Sequence, residues 1–315
     1  MYIGIDLGGT NIAVGLVNEN MEIIAQDSLP TNADRDYTEI VADMATLCRR
    51  VAEQAGVGID AVKTIGIGSP GSVNSQEGIV EYANNLNLRH AKIAEELKKH
   101  INLPVRIEND ANAAAYGEYM INGGEVEDFV FITLGTGVGG GVIIDKKIYS
   151  GFNGAGGELG HTTLVLDGEP CTCGNPGCWE AYASVTALIR QTKAAMEKNP
   201  DSLMHKIAEE QGKINGRTAF DAAKQGDCAA QGVVDQYVKY VGAGVLNMIN
   251  IFQPEQLVIG GGISKEGDYL LNPIKAYCQQ FDYNRDLPKT EIKIAQLFND
   301  AGIIGAAMAA KDFAK

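Results

Sequence analysis

The sequence predicts an α/β protein of two related domains facing each other across a cleft. Three observations carry this. The chain has 315 residues, and at about 150 residues per domain that length suggests two. Short apolar runs alternate with segments of helical spacing along the chain. A glycine turn between two strand-like runs, Asp6-Leu7-Gly8-Gly9-Thr10, is echoed later by Leu134-Gly135-Thr136-Gly137-Val138-Gly139-Gly140-Gly141. Such a turn repeated once in each half points to a duplicated unit.

The elements follow in order. Residues 2–6, 11–17 and 22–28 read as strands joined by tight turns, two antiparallel hairpins in succession. A helix follows, with Asp36 and Glu39 spaced as a capping box. Its stripe of Ile40, Val41, Met44, Leu47, Cys48 and Val51 makes Cys48 a small buried apolar residue. Residues 62–68 are a strand ending in Ser69-Pro70-Gly71, 91–100 a helix, 105–108 a strand and 110–120 a helix. Strands at 129–134 and 139–144 flank the second glycine turn. Residues 151–180 are irregular and glycine-rich, 181–250 mostly helical, 257–259 and 291–295 strands, and a helix closes the chain from about Gly302. The expected division is a small domain of residues 1–115 plus about 301–315, and a large domain of 116–300 carrying a loop at 161–178 and a helical insertion.

Composition narrows the function. A net charge of −14 repels nucleic acid and anionic membranes over most of the surface. No apolar run approaches the roughly 20 residues of a membrane span. The opening MYIGIDLGG lacks the basic start of a signal peptide, so a cytoplasmic protein with reduced cysteines is expected.

The glycine turns suit phosphate. Glycines let backbone N–H groups approach an anion without a Cβ in the way. Gly8, Gly9, Thr10 and Asn11 form one such loop, and Gly135, Thr136, Gly137 and Gly139 the other. Asp6 adds a carboxylate that can hold magnesium, directly or through water. Neither loop has the Lys-Ser/Thr of a P-loop, and neither opens a helix as a dinucleotide fingerprint does. A third cluster, Gly260-Gly261-Gly262, follows a strand and could admit a nucleoside through Gly261 and Gly262. Asp110 sits beside Asn109 where a strand gives way to a helix. It is either the cap of that helix or a general base toward a substrate hydroxyl. Spacing alone leaves both open.

Half of the six cysteines crowd into CTCGNPGCWE, residues 171–180. With His161 they spell H-x9-C-x-C-x4-C, three thiolates and an imidazole, which is a structural zinc set. Cys171 and Cys173 are spaced C-x-C, not the C-x-x-C of a redox pair. Four protein donors close the coordination sphere, so zinc through His161, Cys171, Cys173 and Cys178 would fold the loop and aim the neighbouring Glu158 and Glu180 at a polar ligand.

These segments resemble the ROK family of sugar kinases and repressors, within the actin-like (ribonuclease H-like) ATPase fold with its interdomain cleft. The two glycine loops look like the family's phosphate motifs. Glu158-Leu159-Gly160-His161, followed by the cysteine run through Glu180, is the most specific signature. The likeness extends over essentially the whole chain, Gly66-Ile67-Gly68-Ser69-Pro70-Gly71 included. It implies an ATP-dependent hexose kinase, glucokinase-like, with ATP, Mg2+ and a structural Zn2+. By the same resemblance Asp110 is the base for the sugar 6-hydroxyl, and Asn109 with Asp110 holds the 4- and 6-hydroxyl end. Glu158, His161 and Glu180 hold the 1- to 3-hydroxyl side. Asn85 falls where the family has an Asn-Leu pair on the sugar; in place of the family's preceding Pro and following Trp this chain has Asn84 and Leu88. Members are usually homodimers or dimers of dimers. The alternatives are an N-acetylmannosamine, N-acetylglucosamine or fructose kinase, and a sugar-responsive repressor. The repressor is disfavoured because Asp6 lies five residues after Met1, where a DNA-binding domain would precede it.

Overall fold

The structure, a computed structural model, describes residues 1–313. The chain runs β1 (Tyr2–Leu7), β2 (Asn11–Val17), β3 (Ile23–Pro30), α1 (Tyr37–Gln54), β4 (Thr64–Ser69), β5 (Ser72–Asn74), β6 (Ile79–Ala83), β7 (Leu88–Ala91), α2 (Ile93–His100), β8 (Val105–Asn109) and α3 (Asp110–Ile121). It continues through β9 (Phe129–Leu134), β10 (Val138–Ile144), β11 (Lys147–Ile148), α4 (Glu180–Ala183), α5 (Val185–Lys198), α6 (Leu203–Glu210), α7 (Thr218–Lys224), α8 (Cys228–Phe252), β12 (Gln256–Gly260), α9 (Asp268–Phe281), β13 (Glu291–Ile294) and α10 (Ala301–Phe313).

The echo between the glycine loops extends to topology. One five-stranded sheet has the order β3-β2-β1-β4-β8, the other β11-β10-β9-β12-β13. In the first, β1 pairs antiparallel with β2 and parallel with β4, which pairs parallel with β8. In the second, β12 lies parallel to both β9 and β13. The central strand β1 is buried along almost its whole length, as a strand covered on both faces must be.

Contacts divide the chain into two compact units: Met1–Glu127, Gly141–Gly157 and Gln296–Lys315 in one, Asp128–Gly140 and Glu158–Ala295 in the other. Residues 314 and 315 of the expected small domain lie outside the described residues. The expected break at 115 falls inside α3; the first passage between units comes after that helix, so α3 remains whole. In the first unit α1 covers one face of the sheet through Ile40, Met44, Leu47, Cys48 and Val51, all fully buried or nearly so. On the other face α10 lies directly on the strands at Gly4 and Gly66, where any Cβ would strike the carbonyls of Ile303 and Ala306. These two glycines set how closely helix and sheet approach.

The structure departs from expectation at two places and settles a third that the sequence left open. Residues 72–91 form a three-stranded sheet, β5-β6-β7, so the helix expected from 91 begins at Ile93. Its short strands carry too few alternating residues to announce themselves. At α1, Asp36 caps by accepting from the backbone N–H and hydroxyl of Thr38 at 2.9 and 2.6 Å, a local Asx arrangement in place of the box with Glu39. At α3, where the sequence left Asp110 open as cap or base, the capping residue is Asn109.

Candidate active site

That last point matters for the chemistry. Asn109 Oδ1 accepts the backbone N–H groups of Ala111 and Asn112 at 2.9 and 3.1 Å, which satisfies the free donors of the first turn. Asn109 Nδ2 donates to the carbonyl of Gly71 at 3.1 Å, tying the cap to the Ser69-Pro70-Gly71 turn. Asp110 is thereby released from capping. Its carboxylate keeps one local bond, from the N–H of Ala111 at 2.8 Å. Burial pushes its pKa above the ordinary 3.8, an effect that the backbone N–H groups oppose.

Asp6, at the C-terminal end of β1, belongs to the same unit. Burial, and then the nearby charge of Asp110, raise its pKa from 3.8 to about 6. The start of α10 is held against it: a Cβ on Gly302 would stand 3.3 Å from its carboxylate carbon. A carboxylate whose ionisation is opposed by burial and by a second carboxylate invites a cation, and oxygen donors of this kind suit magnesium.

The first glycine loop is fastened from outside. Gly8 N–H donates to Asn11 at 2.9 Å, while buried Thr31 donates its hydroxyl to Gly8 at 2.6 Å and its N–H to Thr10 at 2.8 Å. Thr10 and Asn11 stay exposed. Gly9 packs on Asn85, where an added Cβ would lie 3.3 Å from Nδ2. Asn85 itself is exposed, in the turn between β6 and β7. The need for glycine here is close approach, not a left-handed backbone, since neither Gly8 nor Gly9 has positive φ.

The second unit repeats this fastening. Gly135 N–H donates to Gly137 at 3.0 Å, Val185 N–H to Gly135 at 2.8 Å, and the Thr186 hydroxyl to Thr136 at 2.7 Å. The start of α5 thus clamps the loop. Thr136 is exposed, and Gly139 already lies within β10. In the third cluster Gly261 has φ +86 and lies against the carbonyl of Leu134, so a side chain is excluded twice over. Gly262 is exposed with open space around it.

The four expected zinc ligands converge: one donor atom each from His161, Cys171, Cys173 and Cys178 lie within 4.8 Å of one another. Cys171 Sγ is 3.6 Å from His161 Nδ1, and Cys173 Sγ is 3.6 Å from Cys178 Sγ. Tetrahedral ligands at about 2.3 Å from an ion stand about 3.8 Å apart, so the set fits zinc with all four positions filled. The facing nitrogen of His161 is Nδ1, which leaves Nε2 for another partner. Trp179, completely buried, anchors the loop by donating Nε1–H to Tyr240 at 2.9 Å over Gly244, where no side chain fits beneath the indole. Glu158 is exposed just ahead of His161.

Glu180 does more than the sequence suggested. One oxygen accepts the N–H of Val138 at 2.9 Å; the other faces the Thr172 hydroxyl at 3.4 Å and Cys171 Sγ at 3.5 Å. It also lies over Gly137, where an added Cβ would displace its carboxylate. Glu180 therefore joins the cysteine loop to the second glycine loop. Sequence reasoning also missed Thr31 and the buried Glu108, which accepts from Asn109 N–H at 3.2 Å and from Ser75 at 3.0 Å. The sequence does not announce either residue, because Thr31 reaches Gly8 23 positions away and Glu108 is joined to Ser75 33 positions away.

The ROK family profile matches residues 2–313. The chain belongs to the ROK family. This ROK chain is 39% identical over 317 residues to the glucokinase of Streptomyces coelicolor, covering 99% of this chain and 98% of that one. It is 36% identical over 307 residues to the glucokinase of Halalkalibacterium halodurans, covering 96% and 93%. A crystal structure of a ROK family glucokinase from Streptomyces griseus, in complex with glucose and AMPPNP, superposes with a TM-score of 0.83 at 35% identity, covering 99% of each chain. The fold of the ROK chain is thus the mixed α/β, actin-like fold of these sugar kinases.

Proposed function

We propose that this protein is an ATP-dependent glucokinase, transferring the γ-phosphoryl group of ATP to the 6-hydroxyl of glucose. The observation that carries phosphoryl transfer is the pairing of Asp6 and Asp110 in one unit, with Asn109 taking over the cap that would otherwise occupy Asp110. Full-length similarity to glucokinases supports glucose as the sugar.

Asp110 accepts the proton of the 6-hydroxyl while that oxygen forms its bond to the γ-phosphorus. The bond from phosphorus to the β–γ bridging oxygen breaks, and ADP leaves with the electron pair. The transition state is loose, so positioning and charge stabilisation outweigh covalent help. N–H groups of the loops at Gly8–Asn11 and Gly135–Gly139 serve the phosphates, and Gly261 and Gly262 the nucleoside. Asp6 would hold magnesium through water, and the ion supplies charge neutralisation on the phosphate oxygens. His161, Cys171, Cys173 and Cys178 would hold a structural zinc that shapes the loop.

On the sugar, Asn109 and Asp110 take the 4- and 6-hydroxyl end and Asn85 a further hydroxyl. Glu158, His161 through Nε2 and Glu180 take the 1- to 3-hydroxyls. Asn109 retains one N–H for this after donating to Gly71, and Glu180 retains lone pairs after accepting from Val138. A homodimer or dimer of dimers belongs to the same proposal. It is supported by large apolar side chains left exposed near the ends of α8 and α9: Ile251 at 63%, Phe281 at 52%, Tyr283 at 84% and Leu287 at 58%. A cytoplasmic setting suits a reduced thiolate cluster, and among the described residues no helix is long and apolar enough to cross a membrane. The test is a coupled ADP-release assay over glucose, mannose, fructose, allose and the N-acetylhexosamines. A higher kcat/KM for an N-acetylhexosamine than for glucose would overturn the assignment.

A further inference from the structure

We infer that the first unit carries a second anion site, separate from the glycine loops, in a polar cavity beside β8. The cavity holds about 460 Å³ and is bounded by Asn74, Ser75, Gln76, Arg106, Lys147 and Asn153 among others. Two cations line it and no carboxylate does. In a chain of net charge −14 that local balance runs against the surface as a whole.

The hydrogen bonds point to an occupant. Arg106 spends one terminal N–H on Glu108 at 3.1 Å and stacks its guanidinium over Phe313 at 5.2 Å. Its Nε–H is buried without a partner. That atom is closed off from the cavity, so the terminal N–H groups not spent on Glu108 are the ones left for an anion entering it. Glu108 itself is already engaged by Ser75, Arg106 and the N–H of Asn109. It balances one of the two cations and leaves Lys147 as uncompensated charge. Serine, asparagine and glutamine supply neutral donors around them. A planar guanidinium, an ammonium and several amide or hydroxyl donors around one cavity suit a compact phosphate-bearing anion. Its source would be free inorganic phosphate or a sugar phosphate. The site is one shell removed from the proposed base: Arg106 bonds Glu108, and Glu108 bonds the N–H of Asn109, whose neighbour is Asp110.

The experiment uses the full-length protein saturated with a non-hydrolysable ATP analogue and magnesium, so that the glycine loops are occupied. Inorganic phosphate and glucose 6-phosphate are titrated separately by calorimetry, with sulfate as a further anion. We expect saturable binding of one anion per chain, with the tighter of the two phosphates identifying the source. Lys147→Glu, at an exposed position that the fold does not need, should weaken that binding at least about tenfold, as loss of a charge-assisted bond predicts. Arg106→Gln should weaken it as well. Because it also disturbs Glu108, Lys147→Glu is the decisive variant, and its KM for glucose and ATP should match the parent's. Absence of saturable binding with the nucleotide loops filled would overturn the proposal, as would binding that Lys147→Glu leaves unchanged. Neither result bears on Asp110 as base, because the readout is binding and not turnover.

Discussion

Replacing Asp6 by asparagine should stabilise the protein at neutral pH while disabling it. Asp6 has its pKa raised from 3.8 to about 6 in the folded chain, first by burial and then by Asp110. Between those values the folded state holds a proton that the unfolded state has released, so stability falls as pH rises through this window. Below pH 3.8 the group costs nothing; above about 6 the full cost is present. At about 1.36 kcal/mol per pH unit, the ionised Asp6 destabilises the magnesium-free protein by up to about 3 kcal/mol at pH 7.5. Asp6→Asn removes that cost, less whatever the amide loses in unmet hydrogen bonds. The gain should appear as a rise in melting temperature on the order of 5 °C at pH 7.5, shrinking toward zero near pH 4. Thermal melts in magnesium-free buffer at several pH values measure it. The zinc should be left in place, since chelation would confound the result. An equal difference between variant and parent at pH 4.5 and 7.5 would refute the reasoning, and so would a variant that melts lower at pH 7.5. The same buried charge is what magnesium should relieve, so added magnesium should stabilise the parent more than the variant.

The acid limb of kcat/KM should fall as pH drops through about 6, where Asp6 takes up its proton, and higher magnesium should move that limb to lower pH; a limb insensitive to magnesium would exclude Asp6 as its origin. Asp110→Asn should lose about 10²–10⁴-fold in kcat with folding and nucleotide affinity retained, and near-parental turnover would reduce Asp110 to a structural residue. Cys173→Ser should release zinc and weaken glucose and nucleotide together, because Glu180 ties the cysteine loop to the second glycine loop; metal analysis and nucleotide titration of the purified variant check both halves. Among sugars, 2-deoxyglucose should lose about 0.5–1.5 kcal/mol of transition-state binding through the missing hydrogen bond to the exposed Glu158, and 2-acetamido sugars should also fall below glucose in kcat/KM.

How much of this was legible in the sequence depends on how far apart the partners lie. The zinc set was readable because His161 and the three cysteines fall within 18 consecutive positions and their donor chemistry is specific; the structure brings the same four together. The duplicated glycine loops were readable as an echo, and the matching strand orders of the two sheets are its three-dimensional form. Asp110 shows the limit. Asn109 and Asp110 are both good caps, and the sequence alone cannot say which takes the helix. That choice turns on Gly71, 38 positions away, whose carbonyl accepts from Asn109 Nδ2 and leaves Oδ1 facing the first turn. The same holds for Glu180, whose Val138 partner is 42 positions distant. Local spacing could place it after the cysteines but could not reveal that it faces the second glycine loop. The pattern has a consequence for reading the site. A residue identified by its motif can be performing a structural task set by a remote backbone group, and its substitution will then report on two functions at once. For Glu180 the two are separable. Glu180→Gln keeps an oxygen to accept the Val138 N–H and can keep a neutral contact to a sugar hydroxyl, but it loses the charge. If Glu180 acts mainly on the loop, Glu180→Gln should retain nucleotide affinity and Glu180→Ala should lose it. If it acts mainly on the sugar, both variants should raise KM for glucose with nucleotide affinity untouched.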